Sequence, residues 1–131
     1  MKQLSMEELN KITEAIIGAA IEVHRHLGPG LLESAYRECL RYELIQRGYG
    51  AQQEVPLPLT YKDVKLDCGY RLGLLVNDTV IVEIKSVESL SDVHHKQLLT
   101  YLKLAGKKLG LLMNFNVSSM KDGIIRIVNK L

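Results

Sequence analysis

Glu83 and Lys85 interrupt an apolar run, Val80-Ile81-Val82-Glu83-Ile84-Lys85, with an acid and a base two residues apart. Side chains alternate along a strand, so Val80, Val82 and Ile84 face one way and Ile81, Glu83 and Lys85 the other. Charges are costly to bury unless they are paired or bind a metal. A cross-face ion pair on a half-exposed strand is the ordinary reading of so short a motif. The chemical reading is sharper: Glu83 holds a divalent cation while Lys85 orients an attacking water and helps deprotonate it. Hard cations such as Mg²⁺ take oxygen ligands, usually one or two carboxylates plus waters and substrate phosphates.

Other residues join this pair as candidates. Glu33 follows the Gly28-Pro29-Gly30 break and falls in the first turn of an expected helix. A carboxylate there also complements the helix dipole, an effect of about 0.3–1 kcal/mol. Gln97 and Tyr101 are four apart on one helical face, with His94 beside them. Their ordinary meaning is a polar edge next to Leu98, Leu102 and Ala105. Lys96, Lys103 and Lys107 form a stripe on the opposite face, which reads as solvated surface. Arg25, His26, Arg37 and Arg71 are better placed for phosphate contacts, with their orientation open.

The elements that must position these groups follow from periodicity. Ser5-Met6-Glu7-Glu8 has the S-x-x-E form of a capping box. Leu9, Ile12, Ile16, Ala19, Ala20, Val23 and Leu27 then recur at helical steps. A second helix is expected from about Leu31 to Arg47, with Leu32, Ala35, Tyr36, Cys39 and Leu40 inward and Gly48 ending it. Pro56 and Pro58 suit Glu54–Tyr61 to an edge strand. Lys62-Asp63 reads as a turn, Val64–Val76 as a strand bent at Gly69, and Thr79–Ser86 as its hairpin partner across Asn77-Asp78. Ser91-Asp92 can cap a helix ending at Gly106. Lys108–Phe115 and Ile124–Val128 are closing strands.

The 131 residues suffice for one domain spanning 1–131 without disulfide or metal staples. At 47% apolar and 24% charged, with no apolar run of membrane-spanning length, the composition is that of an ordinary globular protein. Glu7, Glu8, Glu14 and Glu22 break up any signal-peptide pattern. Cys39 and Cys68 lack C-x-x-C spacing, so reduced thiols in a cytoplasmic setting are expected. A formal charge of +2 does not by itself imply a nucleic-acid partner.

Taken together, these segments resemble the GxxExxY proteins, a branch of the PD-(D/E)XK nuclease superfamily. Gly30-Leu31-Leu32-Glu33-Ser34-Ala35-Tyr36 fits the naming motif, and Val82-Glu83-Ile84-Lys85 fits the E-x-K signature. VHHKQLLTYLK (93–103) fits the following helix with its Q-x-x-x-Y, while GLLMNFNV (110–117) and IIRIVN (124–129) fit the closing strands. The resemblance implies a restriction-endonuclease-like α/β fold: a mixed sheet flanked by helices, in the order helix, helix, three antiparallel strands, helix, strand, strand. It further implies Mg²⁺- or Mn²⁺-dependent cleavage of nucleic-acid phosphodiesters, DNA ahead of RNA. Glu33, Glu83, Lys85, Gln97 and Tyr101 would form the catalytic set, and Glu83 and Glu33 the metal ligands.

One departure matters. The family's strand before E-x-K reads Arg, an apolar residue, then a metal-binding Asp; here it reads Arg71-Leu72-Gly73. Asp67 lies six residues away, roughly 20 Å along an extended strand, and Asp78 is at the far hairpin tip. A nuclease weakened or inactivated by Gly73 is therefore expected. The competing reading is a catalytically dead module that binds nucleic acid or protein.

Overall fold

The S-x-x-E signature closes as expected. Ser5 Oγ accepts from the Glu8 N–H and Glu8 Oε1 from the Ser5 N–H, both at 3.1 Å. In the computed structural model, which describes residues 4–131, helix α1 continues from this cap over Met6–Leu27. Its expected stripe from Leu9 to Val23 is buried, while Leu27, in the last turn, is exposed. Helix α2 spans Glu33–Gln46 and begins two residues later than expected. Leu32 is its N-cap, in extended conformation, and is 76% exposed where an inward side chain was expected. It precedes the first helical turn, so helical periodicity does not govern it. Gly48 (φ 89°) takes the left-handed conformation that follows many helix ends.

The strands are β1 (Ala51–Pro56), β2 (Leu59–Tyr61), β3 (Val64–Leu66), β4 (Arg71–Val76), β5 (Val80–Lys85), β6 (Leu109–Asn114) and β7 (Ile124–Val128). Helix α3 (Asp92–Ala105) lies between β5 and β6. Five strands form one mixed sheet in the order β1-β4-β5-β6-β7. Only β5 and β6 are parallel, a pairing that needs a crossover, and α3 supplies it. Strands β2 and β3 pair with each other as a separate ribbon turned at Lys62-Asp63. The single strand expected over 54–61 is thus the end of β1 plus β2, and that expected over 64–76 divides into β3 and β4. Pro56 and Pro58 cannot donate to a ladder, and Gly69 (φ 80°) turns the chain between β3 and β4.

Helices α1 and α2 cover one sheet face, packing Ile16, Tyr36, Leu40 and Leu44 on Leu74, Val80, Val82 and Leu111. Helix α3 covers the other, with Leu98, Tyr101 and Leu102 against Leu75, Ile81 and Leu112. Each fully buried side chain of this kind adds about 1.5–3 kcal/mol by leaving water. Among the described residues no helix is long and apolar enough to cross a membrane, and both cysteines are free.

The β4–β5 hairpin sets up the site, with one correction of register. The Thr79 N–H bonds the Val76 carbonyl at 3.0 Å, but pairing resumes with Val76 opposite Val80. The loop therefore takes three residues, not two. Continued along both strands, this register places Gly73 level with Glu83, where a two-residue loop would have placed it opposite Val82.

Candidate functional site

Strand pairing between β4 and β5 runs through Leu74↔Val82 and stops there. One residue further, the Gly73 N–H bonds a side chain instead of a strand backbone, donating to Glu83 Oε2 at 2.8 Å. A Cβ on residue 73 would lie 2.9 Å from the Val82 carbonyl oxygen and 3.4 Å from Glu83 Oε2. Glycine here permits a close approach, one of the usual reasons for glycine inside a strand. On the other side of β4, the pairing of β1 skips Glu54 and Gly73 between Gln53↔Leu74 and Val55↔Leu72. Glu54 is left-handed, with φ 50°, a conformation that costs a non-glycine residue about 1–3 kcal/mol. The kink reverses the alternation of both strands. Leu74 packs under α1 and α2, whereas Leu72, two residues away, packs under α3.

The parting of β4 from β5 opens a cleft of about 140 Å³ lined by Glu33, Arg37, Glu54, Arg71, Gly73, Glu83 and Lys85, among others. Glu83 and Lys85 come from the end of β5. Glu33 comes from the start of α2, and its Oε2 accepts from the Ser86 N–H at 3.3 Å. Two side chains fix the loops that present these groups. Tyr36, fully buried and stacked on Phe115 at 4.6 Å, donates its hydroxyl proton to the Gly28 carbonyl at 2.6 Å and accepts from the Leu31 N–H at 3.1 Å. Asn114 accepts from the Val87 N–H at 3.1 Å and donates to the Val87 carbonyl at 2.9 Å. The Gly-Pro-Gly break and the exit from β5 are both tied to buried side chains near the end of β6.

Burial pushes the Glu83 carboxyl above the ordinary glutamate range. The Gly73 N–H and the Lys85 charge pull it down, Glu33 pushes it up, and Arg37 pulls it down. Burial also raises the Tyr101 hydroxyl, with the Glu83 charge second and Tyr70 third.

Glu33, Glu83 and Lys85 therefore meet in one cleft. Tyr101 is buried, feels the Glu83 charge and touches Tyr70 with ring centroids 6.0 Å apart, but does not line the cleft. Gln97, one turn earlier, is half-buried and does not line it either. His94 belongs to the start of α3, where its Nδ1 accepts from the Ser91 N–H at 3.1 Å. Of the four basic candidates, Arg37 and Arg71 line the cleft, whereas Arg25 and His26 pair with Glu22. Asp67 is exposed, 3.7 Å from Arg71, and Asp78 pairs with Lys107 at 3.2 Å; neither replaces the missing carboxylate. Glu54 carried no sequence signal. It reaches the cleft through its left-handed backbone, and Arg37 Nη2 donates to its Oε1 at 3.0 Å. A larger groove of about 840 Å³ lies at the opposite end of β5, lined by Leu4, Leu9, Asn77, Lys107 and Leu131 among others; none of the candidate site residues reaches it.

The donor set does not fit a tightly held divalent cation. Among the described residues no group of three His, Cys, Asp or Glu side chains converges as a ligand set. Glu33 and Glu83 each accept a main-chain N–H, Glu54 is paired with Arg37, and Gly73 offers no side chain. Three basic groups, Arg37, Arg71 and Lys85, share the same small space.

The helix–sheet order, the crossover helix and an E-x-K strand at an opened sheet end define a class. Residues 10–127 match the family model of the PD-(D/E)XK nuclease superfamily, and the chain belongs to that superfamily. Its α/β architecture of three helices around a mixed five-stranded sheet is the restriction-endonuclease-like one. No curated protein and no solved structure matches the chain.

Proposed function

We propose that this protein engages nucleic acid, DNA ahead of RNA, at the Glu33–Glu83–Lys85 cleft and cleaves phosphodiesters weakly or not at all. The observation that carries the proposal is Gly73. It lies where the superfamily's strand supplies a carboxylate, beside the Glu83 side chain that would share a cation with it. Mg²⁺ or Mn²⁺ is the cofactor that superfamily membership implies, and two carboxylates hold it less well than three. Each 1.36 kcal/mol of lost transition-state stabilisation is a factor of ten in rate. In this reading Lys85 orients the attacking water and meets the phosphate, while Tyr101, whose hydroxyl feels the Glu83 charge, and Gln97, one helical turn before it, stay outside the cleft lining.

A second reading, a module that binds nucleic acid or a protein without cutting, is favoured by the way Glu83 folds onto the Gly73 N–H. A carboxylate held there by the backbone must exchange that bond for a cation. A cleavage assay on single- and double-stranded DNA and RNA, with Mg²⁺, Mn²⁺ or chelator, tests the primary reading. Slow, metal-dependent cleavage, or binding with no cleavage, is the expected result. Turnover at rates typical of a full enzyme, or no interaction with any nucleic acid, would overturn it.

A further inference from the structure

The hydrogen-bonding groups of the cleft are unevenly satisfied. Each of its carboxylates already has a donor: Glu83 the Gly73 N–H, Glu33 the Ser86 N–H, and Glu54 the Arg37 Nη2. The donors fare differently. Arg37 Nε is buried without an acceptor. Lys85 is half-buried in the same cleft and makes no hydrogen bond or ion pair among the described residues. Native proteins pair the great majority of buried polar groups, and each exception asks for an explanation. An unpaired guanidinium N–H beside an ammonium needs an acceptor. A metal cation offers none, and it would add positive charge beside three basic side chains. Phosphate oxygens supply several acceptors and the opposite charge, and arginine's planar fork suits them.

The size of the cleft limits what enters. At about 140 Å³ it falls well below the ~300–1,000 Å³ of small-molecule sites, so it admits a phosphate group and not a nucleoside. We propose that the cleft seats one phosphate of a nucleic-acid backbone directly on Arg37 and Lys85, without a divalent cation. The proposal rests on the reading that nucleic acid is the partner, and assigns Arg37 a phosphate-binding role. Arg37 lies one turn after Glu33 on α2 and lines the cleft, with its Nη2 held by Glu54 Oε1 at 3.0 Å.

Fluorescence anisotropy with labelled oligonucleotides, in EDTA and in Mg²⁺, tests this on the native chain and on Arg37→Lys and Lys85→Met, each checked for folding by circular dichroism. Arg37→Lys keeps the charge and removes Nε. The expected result is native affinity within about twofold in EDTA and in Mg²⁺, and a loss of about tenfold or more in Arg37→Lys, the size of one charged hydrogen bond. Lys85→Met should lower the salt slope by about one. Binding that vanishes in EDTA, or Arg37→Lys binding like the native chain, overturns the phosphate seat and leaves the nucleic-acid reading intact. A thermal-shift arm with inorganic phosphate in EDTA separates the two ideas from the other side. Stabilisation of the native chain beyond that of Arg37→Lys, with no oligonucleotide bound, sustains the seat and removes nucleic acid as its source. Absence of both overturns the seat.

Discussion

Val80, Ile81 and Val82 are fully buried, paired on both edges, and packed under helices on both faces. Glu83, Ile84 and Lys85 continue the same strand and keep their pairing with β6, but have lost β4. The first half is held by hydrophobic burial and a complete ladder. In the second half a carboxylate stands in for a strand: Glu83 satisfies the Gly73 N–H that a backbone carbonyl would otherwise meet. One edge of a strand can thus be opened for chemistry while the other anchors it, and in this chain the residue at the point of parting, Gly73, has no Cβ.

The packed half should be the more sensitive to truncation. Ile81→Ala removes a fully buried side chain and is expected to cost about 2–5 kcal/mol in urea denaturation, with nucleic-acid affinity unchanged in whatever fraction remains folded. Next is the point of parting itself. Gly73→Ala must push its Cβ away from the Val82 carbonyl, a strain of about 1–3 kcal/mol. Gly73→Asp carries the same strain plus repulsion from Glu83, but gives two carboxylates that share a cation. It should bind Mn²⁺ more tightly in calorimetric titration and raise any cleavage. Equal, negligible Mn²⁺ binding by both proteins would place the loss elsewhere.

The open half should reveal itself through pH. A carboxyl whose folded pKa is raised binds more protons folded than unfolded. Its contribution to stability is therefore greatest below the unfolded value, about 4.3, and falls as pH rises through the folded value. Glu83→Gln should remove that decline. The variant should gain on the native chain between acid and neutral pH in parallel urea titrations, and identical pH profiles would mean that Glu83 is not buried as described. Lys85→Ala should have the smallest effect on folding, within about 0.5 kcal/mol, because among the described residues Lys85 makes no hydrogen bond or ion pair and acts on Glu83 through its charge alone. Its expected effect is on nucleic-acid affinity and any cleavage. Unfolding of this variant would instead favour a structural ion pair.

Local signals in the sequence carried well where local chemistry governs. The capping box, the Lys62-Asp63 turn, the alternation of β5, the extent of α3 and the ends of β7 are all set by residues a few positions apart. What sequence could not reach depends on contacts between distant segments. The left-handed Glu54 has no local cause visible in its neighbours; it accompanies the parting at Gly73. The one-residue shift of register came from a third loop residue, Thr79, which no turn dipeptide announces. Arg37 was one of four basic candidates, and only the placement of α2 against β1 selects it. Tyr101 and Gln97 show the converse: their spacing puts them on one helical face, but spacing does not say what that face meets.

The Tyr36 hydroxyl has a consequence for the dynamics of the loop before Glu33. The Leu31 amide sits in a surface turn, where a proton would ordinarily exchange with solvent through small local openings. Here it is donated to the hydroxyl of a side chain with no exposed surface, stacked on Phe115 in the main core. Releasing that proton means withdrawing the tyrosine, which disturbs the packing of α2 on the sheet. Leu31 should therefore exchange on the timescale of the core and not of its loop, and the carboxylate two residues later inherits that rigidity.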